Sequence, residues 1–298
     1  MKLTMILLLG VLFPISSPQQ QDSLVVMFWN VENFYDWKDG GLSDSDRDFS
    51  AGGSRHWTSK RFYSKCNAIA KIILKAGEVH GRLPDAVGFA EVENSFVLRA
   101  LLSSTLLRKL DYSYLHFDSP DRRGIDCALI YRKSSLRLRN SFPAHLYDSS
   151  GCVMKTRDIL VACFDGLDIL VNHHPSKVGE GSSESRKTAM ERMFSLCDSL
   201  RSEGHAHILS IGDFNDDVWD SDRGTGTHKY HGGWEKIDGC FHYGLSVDES
   251  IFSDPSLSEK DKSWGGIKPR RCYVGPRWNG GVSDHYPIVM CIKKEMGE

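Results

Sequence analysis

Six short apolar runs in this sequence each end in a carboxylate, amide or imidazole side chain, and this recurrence constrains the fold more than any other feature. The clearest run is residues 208–217, ILSIGDFNDD, where a buried strand stops at Gly212 and a polar cluster follows. Asp213 and Asn215 are two positions apart, so they point to the same face while the chain stays extended. A solvated turn after a strand is the ordinary explanation for any single run.

The other five endings carry side chains of the same types. They occur at Asn30 with Glu32, at Glu91, at His173, at Asp238, and at Asp284 with His285. Packed sheets bring strand ends together at one edge, so six such endings predict an acidic pocket with imidazoles at its rim. Oxygen donors of this kind suit a hard divalent cation, Mg²⁺ or Mn²⁺.

Composition sets limits on the fold and on the partners. The 298 residues are 40% hydrophobic, which is enough for a full core. Lys and Arg number 37 against 39 Asp and Glu, giving a net charge of −2, so no overall basic surplus indicates a nucleic-acid partner. Any polyanion would have to bind at a local patch. We find no repeat, linker or change in composition, and we therefore expect one domain over residues 23–298.

The N-terminal segment resembles an export signal. Residues 1–22 begin with one early Lys and an apolar stretch too short to span a bilayer, and small residues follow. A buried first strand is the alternative. We expect a signal peptide with a short leader, and hence a periplasmic or secreted protein. The eight cysteines are scattered without a CxxC pair, which argues against a zinc knuckle. Export would allow a disulfide among them, but the sequence does not pair it.

The element order is that of an α/β protein. Helices are predicted from Thr58 or Ser59 to near Gly77, after Glu91, and over residues 182–201. Residues 220–233 and 256–277 are predicted loops, the second locally basic. Strands are predicted at residues 23–29, 84–90, 112–117, 126–132, 158–164, 167–171, 208–211 and 287–293, and from residue 236 onward.

At the polar endings the chain resembles the endonuclease/exonuclease/phosphatase superfamily, which includes pancreatic deoxyribonuclease, apurinic-site endonucleases, inositol polyphosphate 5-phosphatases and bacterial sphingomyelinases. The GDFN and SDHYP motifs are the most specific, and three further phrases, at residues 123–126, 268–271 and 280–284, are similar to a bacterial branch. The matching motifs occur in the family's order, at residues 29–32 (WNVE), 89–92 (FAEV), 172–173 (NH), 212–215 (GDFN), 237–238 (ID) and 283–287 (SDHYP).

The resemblance implies a four-layered α/β/β/α sandwich, with two central mixed sheets flanked by helices. It also implies a divalent metal, Mg²⁺ or Mn²⁺, with Glu91 as the main ligand and Glu32 and Asp284 nearby. Arg123 and Arg271 lie in the expected rim loops and are candidates for binding the substrate phosphate.

The remaining roles also follow from the resemblance. Asn30 and Asn215 would orient the scissile phosphate, and His173 would donate to its oxygens. Asp213 would position or deprotonate the attacking water, while Asp238 and His285 form a carboxylate–imidazole pair. Either Asp213 or His285 could be the base. His174 doubles His173, so the sequence leaves open which ring faces the phosphate.

These observations predict a metal-dependent hydrolase of phosphate esters, most like a nuclease. A lipid or small-molecule phosphodiesterase or phosphatase is the first alternative, and a catalytically silent binding module is the second. A sphingomyelinase would need exposed aromatic residues to contact a bilayer, whereas tryptophan in a loop commonly just packs. The predicted loops contain Trp57, Trp219, Trp234, Trp264 and Trp278. We expect a monomer that acts on a phosphate-ester substrate, with nucleic acid a candidate, and that has no stable membrane insertion.

Overall fold

The structure is a computed structural model that describes residues 23–41, 43–177, 182–217 and 226–294. The predicted signal peptide and Trp219 lie outside these ranges. The helices are α1 (Asp44–Asp48), α2 (Ser59–Val79), α3 (Ser95–Ser104) and α4 (Ser182–Ser202), with 3₁₀ turns at Leu106–Lys109 and Pro255–Leu257.

Most of the strands belong to two large sheets. The strands are β1 (Ser23–Phe34), β2 (Ala86–Val92), β3 (Tyr112–His116), β4 (Asp126–Arg132), β5 (Leu138–Ala144), β6 (Ile159–Phe164), β7 (Leu167–His173), β8 (Ile208–Asp213), β9 (His228–Tyr230), β10 (Gly233–Glu235), β11 (Asp238–Tyr243), β12 (Leu245–Ile251), β13 (Ser258–Lys260), β14 (Ile267–Pro269), β15 (Tyr273–Val274), β16 (Arg277–Trp278) and β17 (Ile288–Lys294). The six-stranded sheet has the order β12-β17-β1-β2-β4-β3, and the five-stranded sheet has the order β11-β8-β7-β6-β5.

Three apolar layers hold these elements together and give the predicted α/β/β/α sandwich. One layer lies between the six-stranded sheet and helices α2 and α3, one between the two sheets, and one between the five-stranded sheet and α4. Successive side chains of strand β1 point to opposite faces of its sheet, so this strand contributes residues to two of the layers. Val25 and Met27 face the helices, whereas Val26 and Phe28 face the second sheet. This explains why β1 is an unbroken apolar run.

Helix α2 begins where the sequence predicts. The Thr58 side chain accepts a hydrogen bond from the Arg61 backbone N–H, which caps the first turn. The helix continues past Gly77 to Val79, because this glycine is needed for packing and does not end the helix. A Cβ at position 77 would lie 2.8 Å from Leu83 Cδ2.

The predicted loops at residues 220–233 and 256–277 contain hairpins that the sequence analysis missed. Strands β9 and β10 pair across a two-residue turn, His231 and Gly232, with φ of 46° and 85°. Both positive angles are those of a type I′ turn. Strand β13 pairs with β14, and β15 pairs with β16. The edge strands β5 and β12 were also missed, because their sequences are largely polar and β5 contains a proline.

Two parallel pairs bring the polar endings together. Strand β1 runs parallel to β2, and β7 runs parallel to β8, so the carboxyl ends of each pair lie at a common edge. The β1–β2 register shifts between Asn30 and Phe34, which bends the end of β1. In the β7–β8 pair Gly212 lies opposite Asn172, and a Cβ there would lie 2.6 Å from the Asn172 carbonyl oxygen. The glycine of the GDFN motif therefore permits the close pairing that positions Asp213.

All eight cysteines are free, so the disulfide that export would allow is not formed in this structure. Within the part of the chain that the structure describes, no helix is long and apolar enough to cross a membrane.

Candidate active site

A cavity of about 590 Å³ opens at the edge where the strand ends meet. Every predicted site residue lines it except Asp238, which lies behind His285. The predicted residues that line it are Asn30, Glu32, Glu91, Arg123, His173, Asp213, Asn215, Arg271, Asp284 and His285. The fold thus gathers side chains that are up to 255 positions apart, from Asn30 to His285, at one place.

Four residues on this edge adopt the left-handed backbone conformation, which is unusual for residues other than glycine. They are Glu32, Asn33, Glu91 and Asn215, with φ of 47°, 51°, 65° and 51°. Local hydrogen bonds stabilise these angles. The Asn33 N–H donates to Glu91 Oε2 at 2.7 Å, and the buried Lys65 Nζ donates to the Glu32 carbonyl. Such outliers cluster at functional sites, where surrounding contacts offset their cost.

Glu32 and Asp284 are joined by Arg271. The Arg271 guanidinium donates to Glu32 Oε1 through Nε at 3.0 Å and to Asp284 Oδ2 through Nη2 at 2.8 Å. Burial and the nearby Asp284 charge raise the pKa of Glu32 to about 7. Burial also disfavours ionisation of Asp284, but His285 and Arg271 outweigh it and hold the pKa of Asp284 below its usual value. Arg271 therefore offsets repulsion between the buried Glu32 and the partly exposed Asp284.

Glu91 has its own cationic and imidazole neighbours. Its Oε1 is 3.7 Å from Arg123 Nη1 and 4.0 Å from His173 Nε2. Glu91, Glu32 and Asp284 together present only oxygen donors, which fits a hard divalent cation. Glu91 would hold such an ion, with Glu32 and Asp284 completing the site as they exchange contacts with Arg271.

Asp213 occupies the centre of the cavity wall. Its Oδ2 accepts from Asn30 Nδ2 at 3.0 Å and lies 3.7 Å from His173 Nε2 and 3.9 Å from His285 Nε2. Its Oδ1 accepts from the Asn215 backbone N–H at 3.0 Å. Burial and the Asp238 charge raise the pKa of Asp213 to about 6. One carboxylate oxygen therefore faces both predicted imidazoles.

Asp238 fixes the orientation of His285. Asp238 Oδ2 lies 2.8 Å from His285 Nδ1, so the N–H of that nitrogen donates to the carboxylate and Nε2 faces the cavity. Burial alone would lower the pKa of His285, but the Asp238, Asp213 and Asp284 charges outweigh it and hold the pKa well above 6.5. Among the described residues, Asp213, Asp238 and His285 form a cluster in which one potential metal-ligand atom from each residue lies within 4.8 Å of the others. The predicted pair is confirmed as a contact.

His173 and His174 have different surroundings, which answers the question that the sequence left open. His173 lines the cavity, whereas His174 is 1% exposed and packs edge-on against Phe214 at 5.1 Å. Burial and the nearby Arg157 lower the pKa of His174 to about 3. Burial and the charges of Arg157 and Arg123 also hold the pKa of His173 well below its usual range. Only the ring of His173 faces the site.

The cavity also includes residues that the sequence analysis missed. His228 stacks on His285 with ring centres 4.9 Å apart, and its Nδ1 lies 2.7 Å from Glu235 Oε2. Arg157 binds the His173 and His174 carbonyls and thereby holds this turn. A local signal for the hairpin existed in the Gly-Gly pair at 232–233, but nothing local indicated its contact with His285. The other unpredicted lining residues are Asn33, Ser176 and Tyr230.

The fold is shared with structures of known proteins. The structure of TDP2 from C. elegans superposes with a TM-score of 0.58 at 15% identity, covering 91% of this chain and 75% of that one. The human Nocturnin catalytic domain with bound sulfate gives 0.54 at 15% identity, covering 92% and 95%. D. rerio TDP2 complexed with a single-strand DNA product gives 0.52 at 15% identity, covering 92% and 100%.

The sequence comparisons address the family directly. No curated protein matches the sequence. Residues 25–228, more than half of the chain, match the family described as Endonuclease/Exonuclease/phosphatase family. This match contains the WNVE, FAEV, NH and GDFN motifs. The later motif residues Asp284 and His285 also line the cavity, and Asp238 contacts His285 from behind. The chain belongs to the endonuclease/exonuclease/phosphatase family.

Proposed function

We propose that this protein is a divalent-metal-dependent phosphodiesterase that uses water as the nucleophile and acts most like a nuclease. The observation that carries the proposal is the convergence, in one cavity, of three metal-type carboxylates with Asp213 and two imidazoles. A phosphodiester is an anion and a poor target for water. Its hydrolysis needs positive charge on the non-bridging oxygens, a base for water and a proton for the leaving alkoxide.

Glu91, Glu32 and Asp284 would hold a Mg²⁺ or Mn²⁺ ion, which when bound would supply the positive charge that the first requirement names. The chain supplies the rest. Asn30 and Asn215 orient the phosphate, and Asp213 takes the proton of the attacking water. We choose Asp213 over His285 as the base because its Oδ2 lies on the cavity wall between both rings. His285 is held by Asp238 with Nε2 toward the cavity, so it donates to the phosphate or the leaving group.

A nucleic-acid substrate is the form of the proposal that we favour. The cavity wall contains Arg123 and Arg271, which can contact phosphate oxygens when the substrate displaces their present partners. The D. rerio TDP2 structure contains a DNA product, and the Nocturnin structure contains sulfate, an analogue of phosphate. These are properties of those proteins, and they support a phosphate-binding site of the same kind here. Membership of the bacterial branch stays a prediction.

One panel tests the function. Purified protein with Mg²⁺ or Mn²⁺ should hydrolyse bis-p-nitrophenyl phosphate and should degrade DNA or RNA, whereas excess chelator should abolish both activities. Glu91→Gln should lose activity by a factor of at least about 100, corresponding to about 2.7 kcal/mol of transition-state binding. Full activity in excess chelator would overturn the proposal, as would an undiminished Glu91→Gln variant.

A lipid phosphodiesterase is the second candidate because Trp264 and Trp278 are 62% and 41% exposed. Exposed indoles are suited to a membrane interface. The same panel includes sphingomyelin and inositol phosphates. Turnover of sphingomyelin in vesicles, without turnover of nucleic acid, would favour this candidate.

We also propose that the protein is exported. The support is the N-terminal sequence, and the test is the mass of the protein purified from its native host. The mature chain should begin between about residues 17 and 23. An intact N-terminus at Met1 would contradict export through a cleaved signal.

A further inference from the structure

A series of aromatic rings leads from the candidate active site to the surface. His285 stacks on His228, and the ring of His228 lies at 19° to that of Tyr230 with centres 6.4 Å apart. Tyr230 stacks on His231 at 4.1 Å, and His231 on Trp264 at 6.0 Å. The angles between successive ring planes are 28°, 19°, 22° and 18°. Each ring is thus tilted by less than 30° from its neighbour, along a path that starts at the candidate active site.

The outer part of this series is open to solvent. Tyr230 is 57% exposed and Trp264 is 62% exposed, although both are large and partly apolar. A single exposed aromatic residue is unremarkable, but a contiguous exposed group beside a cavity marks a contact surface. We call the rings of Tyr230, His231 and Trp264 the aromatic platform.

The platform is held rigidly. Lys229 forms an ion pair with Asp261 at 3.1 Å, and both side chains are buried, so the β9–β10 hairpin is fixed to the loop that carries Trp264. Asp261 Oδ1 also accepts from the backbone N–H of Trp264 at 3.1 Å. A Cβ at Gly232 would lie 3.1 Å from Trp264 Cβ, so the glycine permits close contact between hairpin and loop. A prearranged surface loses little entropy when a ligand binds.

Electrostatic attraction alone is a weak source of affinity at this site. The chain carries a net charge of −2. The cavity-lining cations that contact carboxylates are Arg123, Arg157, Lys177 and Arg271. A phosphate backbone must therefore compete with internal anions. Stacking of bases on aromatic side chains is independent of these charges and contributes about 1–3 kcal/mol per base.

We infer that the aromatic platform stacks unpaired bases of a nucleic-acid strand whose phosphodiester lies at Asp213 and His285. The inference rests on the proposed function and narrows its substrate to single-stranded or locally unpaired nucleic acid. In a duplex the base faces are covered by neighbouring pairs, so a stacking surface discriminates in favour of unpaired strands. The small angles between neighbouring rings of the platform favour planar bases over acyl chains, which need no such stacking geometry.

Binding tests the inference without catalysis. Fluorescence anisotropy in excess chelator compares a labelled single-stranded oligonucleotide with an abasic strand of equal length and charge. The wild type should bind the base-bearing strand at least about fivefold more tightly. Trp264→Ala and Tyr230→Ala should each remove most of this preference, and Trp264→Phe should retain it. Trp278→Ala is the matched control. The Trp278 ring is also exposed, but it belongs to the β15–β16 hairpin, where the Arg61 guanidinium lies over it. This variant should bind both strands as the wild type does.

Hydrolysis separates this inference from the proposed function. With metal present, the ratio of kcat/KM for the oligonucleotide to that for bis-p-nitrophenyl phosphate should fall at least about fivefold in Trp264→Ala. Equal binding of base-bearing and abasic strands by the wild type would overturn the platform. If no substrate were hydrolysed, the proposed function would be overturned. The binding assay would still decide whether the aromatic platform stacks bases. Loss of binding to sphingomyelin vesicles by Trp264→Ala, with oligonucleotide affinity unchanged, would assign the rings to a lipid surface and overturn the inference.

Discussion

Asp238 acts through another residue. It does not line the cavity, but its carboxylate contacts His285 Nδ1 at 2.8 Å and sets which ring nitrogen faces the substrate. Asp238→Asn should leave the imidazole present but misoriented, and His285→Ala should remove it. Both variants should therefore lose kcat severely, and the double variant should lose little more than either single one. A thermodynamic cycle on kcat measures this. Additive losses would show that the contact has no catalytic role.

The doubled histidine gives a matched pair of variants. His173→Leu should lower kcat/KM by more than about tenfold, or 1.4 kcal/mol, because His173 faces the phosphate position. His174→Leu should keep activity, because that ring packs on Phe214 outside the cavity. The ring nitrogens of His174 have no hydrogen-bond partner among the described residues. Replacing them with an apolar side chain should therefore maintain or raise the free energy of unfolding. Denaturant titration and steady-state kinetics decide both points, and a reversed pattern would exchange the two roles.

For individual residues, the sequence predicted which residues form the site better than it predicted the contacts between them. The residue types at the strand ends were sufficient to nominate Asp213, Asp238 and His285, because their chemistry is visible in the motifs. The Arg271 bridge between Glu32 and Asp284 was not predictable. Arg271 and Glu32 are 239 positions apart, and no local pattern records which cation a folded chain places between two carboxylates.

Among the elements, the β9–β10 hairpin departs most from the prediction. Its strands are only three residues long and lie in a polar, glycine-rich segment, so local propensity gave a loop. Its position is set by tertiary contacts, namely the bridge between His228 and His285 and the ion pair of Lys229 with Asp261. By contrast, α2 and β8 were predictable because capping and apolar periodicity are local signals.

The hairpin should contribute a pH-dependent share of stability through Glu235. Contacts with His228 and then Lys177 lower the pKa of this carboxyl to about 2, against 4.5 in an unfolded chain. A lowered pKa stabilises the folded state above pH 4.5, and the contribution is lost as the pH falls toward 2. Because the site is partly exposed, Glu235→Gln should cost about 1 kcal/mol at pH 6. Urea titrations at several pH values should show the gap to wild type shrinking in acid. If the difference in stability between Glu235→Gln and the wild type did not change with pH, the variant would have lost packing and not a charge interaction.

For the whole molecule, the two-sheet arrangement was predictable and its consequences for charge were not. Consecutive apolar residues such as Met27 and Phe28 point to opposite faces of β1. They therefore specify a strand buried on both faces, and hence two flanking layers. Stacking the sheets then buries Glu32 close to the partly exposed Asp284, and burial together with the Asp284 charge raises the pKa of Glu32 to about 7. Such a site favours a bound cation, since the cation offsets repulsion that the fold itself creates.

Metal binding should therefore stabilise the protein as well as activate it. A ligand that binds only the folded state at tenfold its Kd adds about 1.4 kcal/mol to the free energy of unfolding. For a chain of this size that should raise the thermal midpoint by about 3 °C. Differential scanning fluorimetry with Mn²⁺ or Mg²⁺ measures the shift. Glu91→Gln should abolish it, since this carboxylate is the main proposed ligand.

The matched control for that measurement is Glu191→Gln, on the exposed face of α4 and outside the cavity. This variant removes the same charge from the surface, so it should keep the full metal-dependent shift. An equal loss in Glu191→Gln would indicate a general effect of net charge. A full shift in Glu91→Gln would place the ion elsewhere, and the cluster of Asp213, Asp238 and His285 would then be the next site to test.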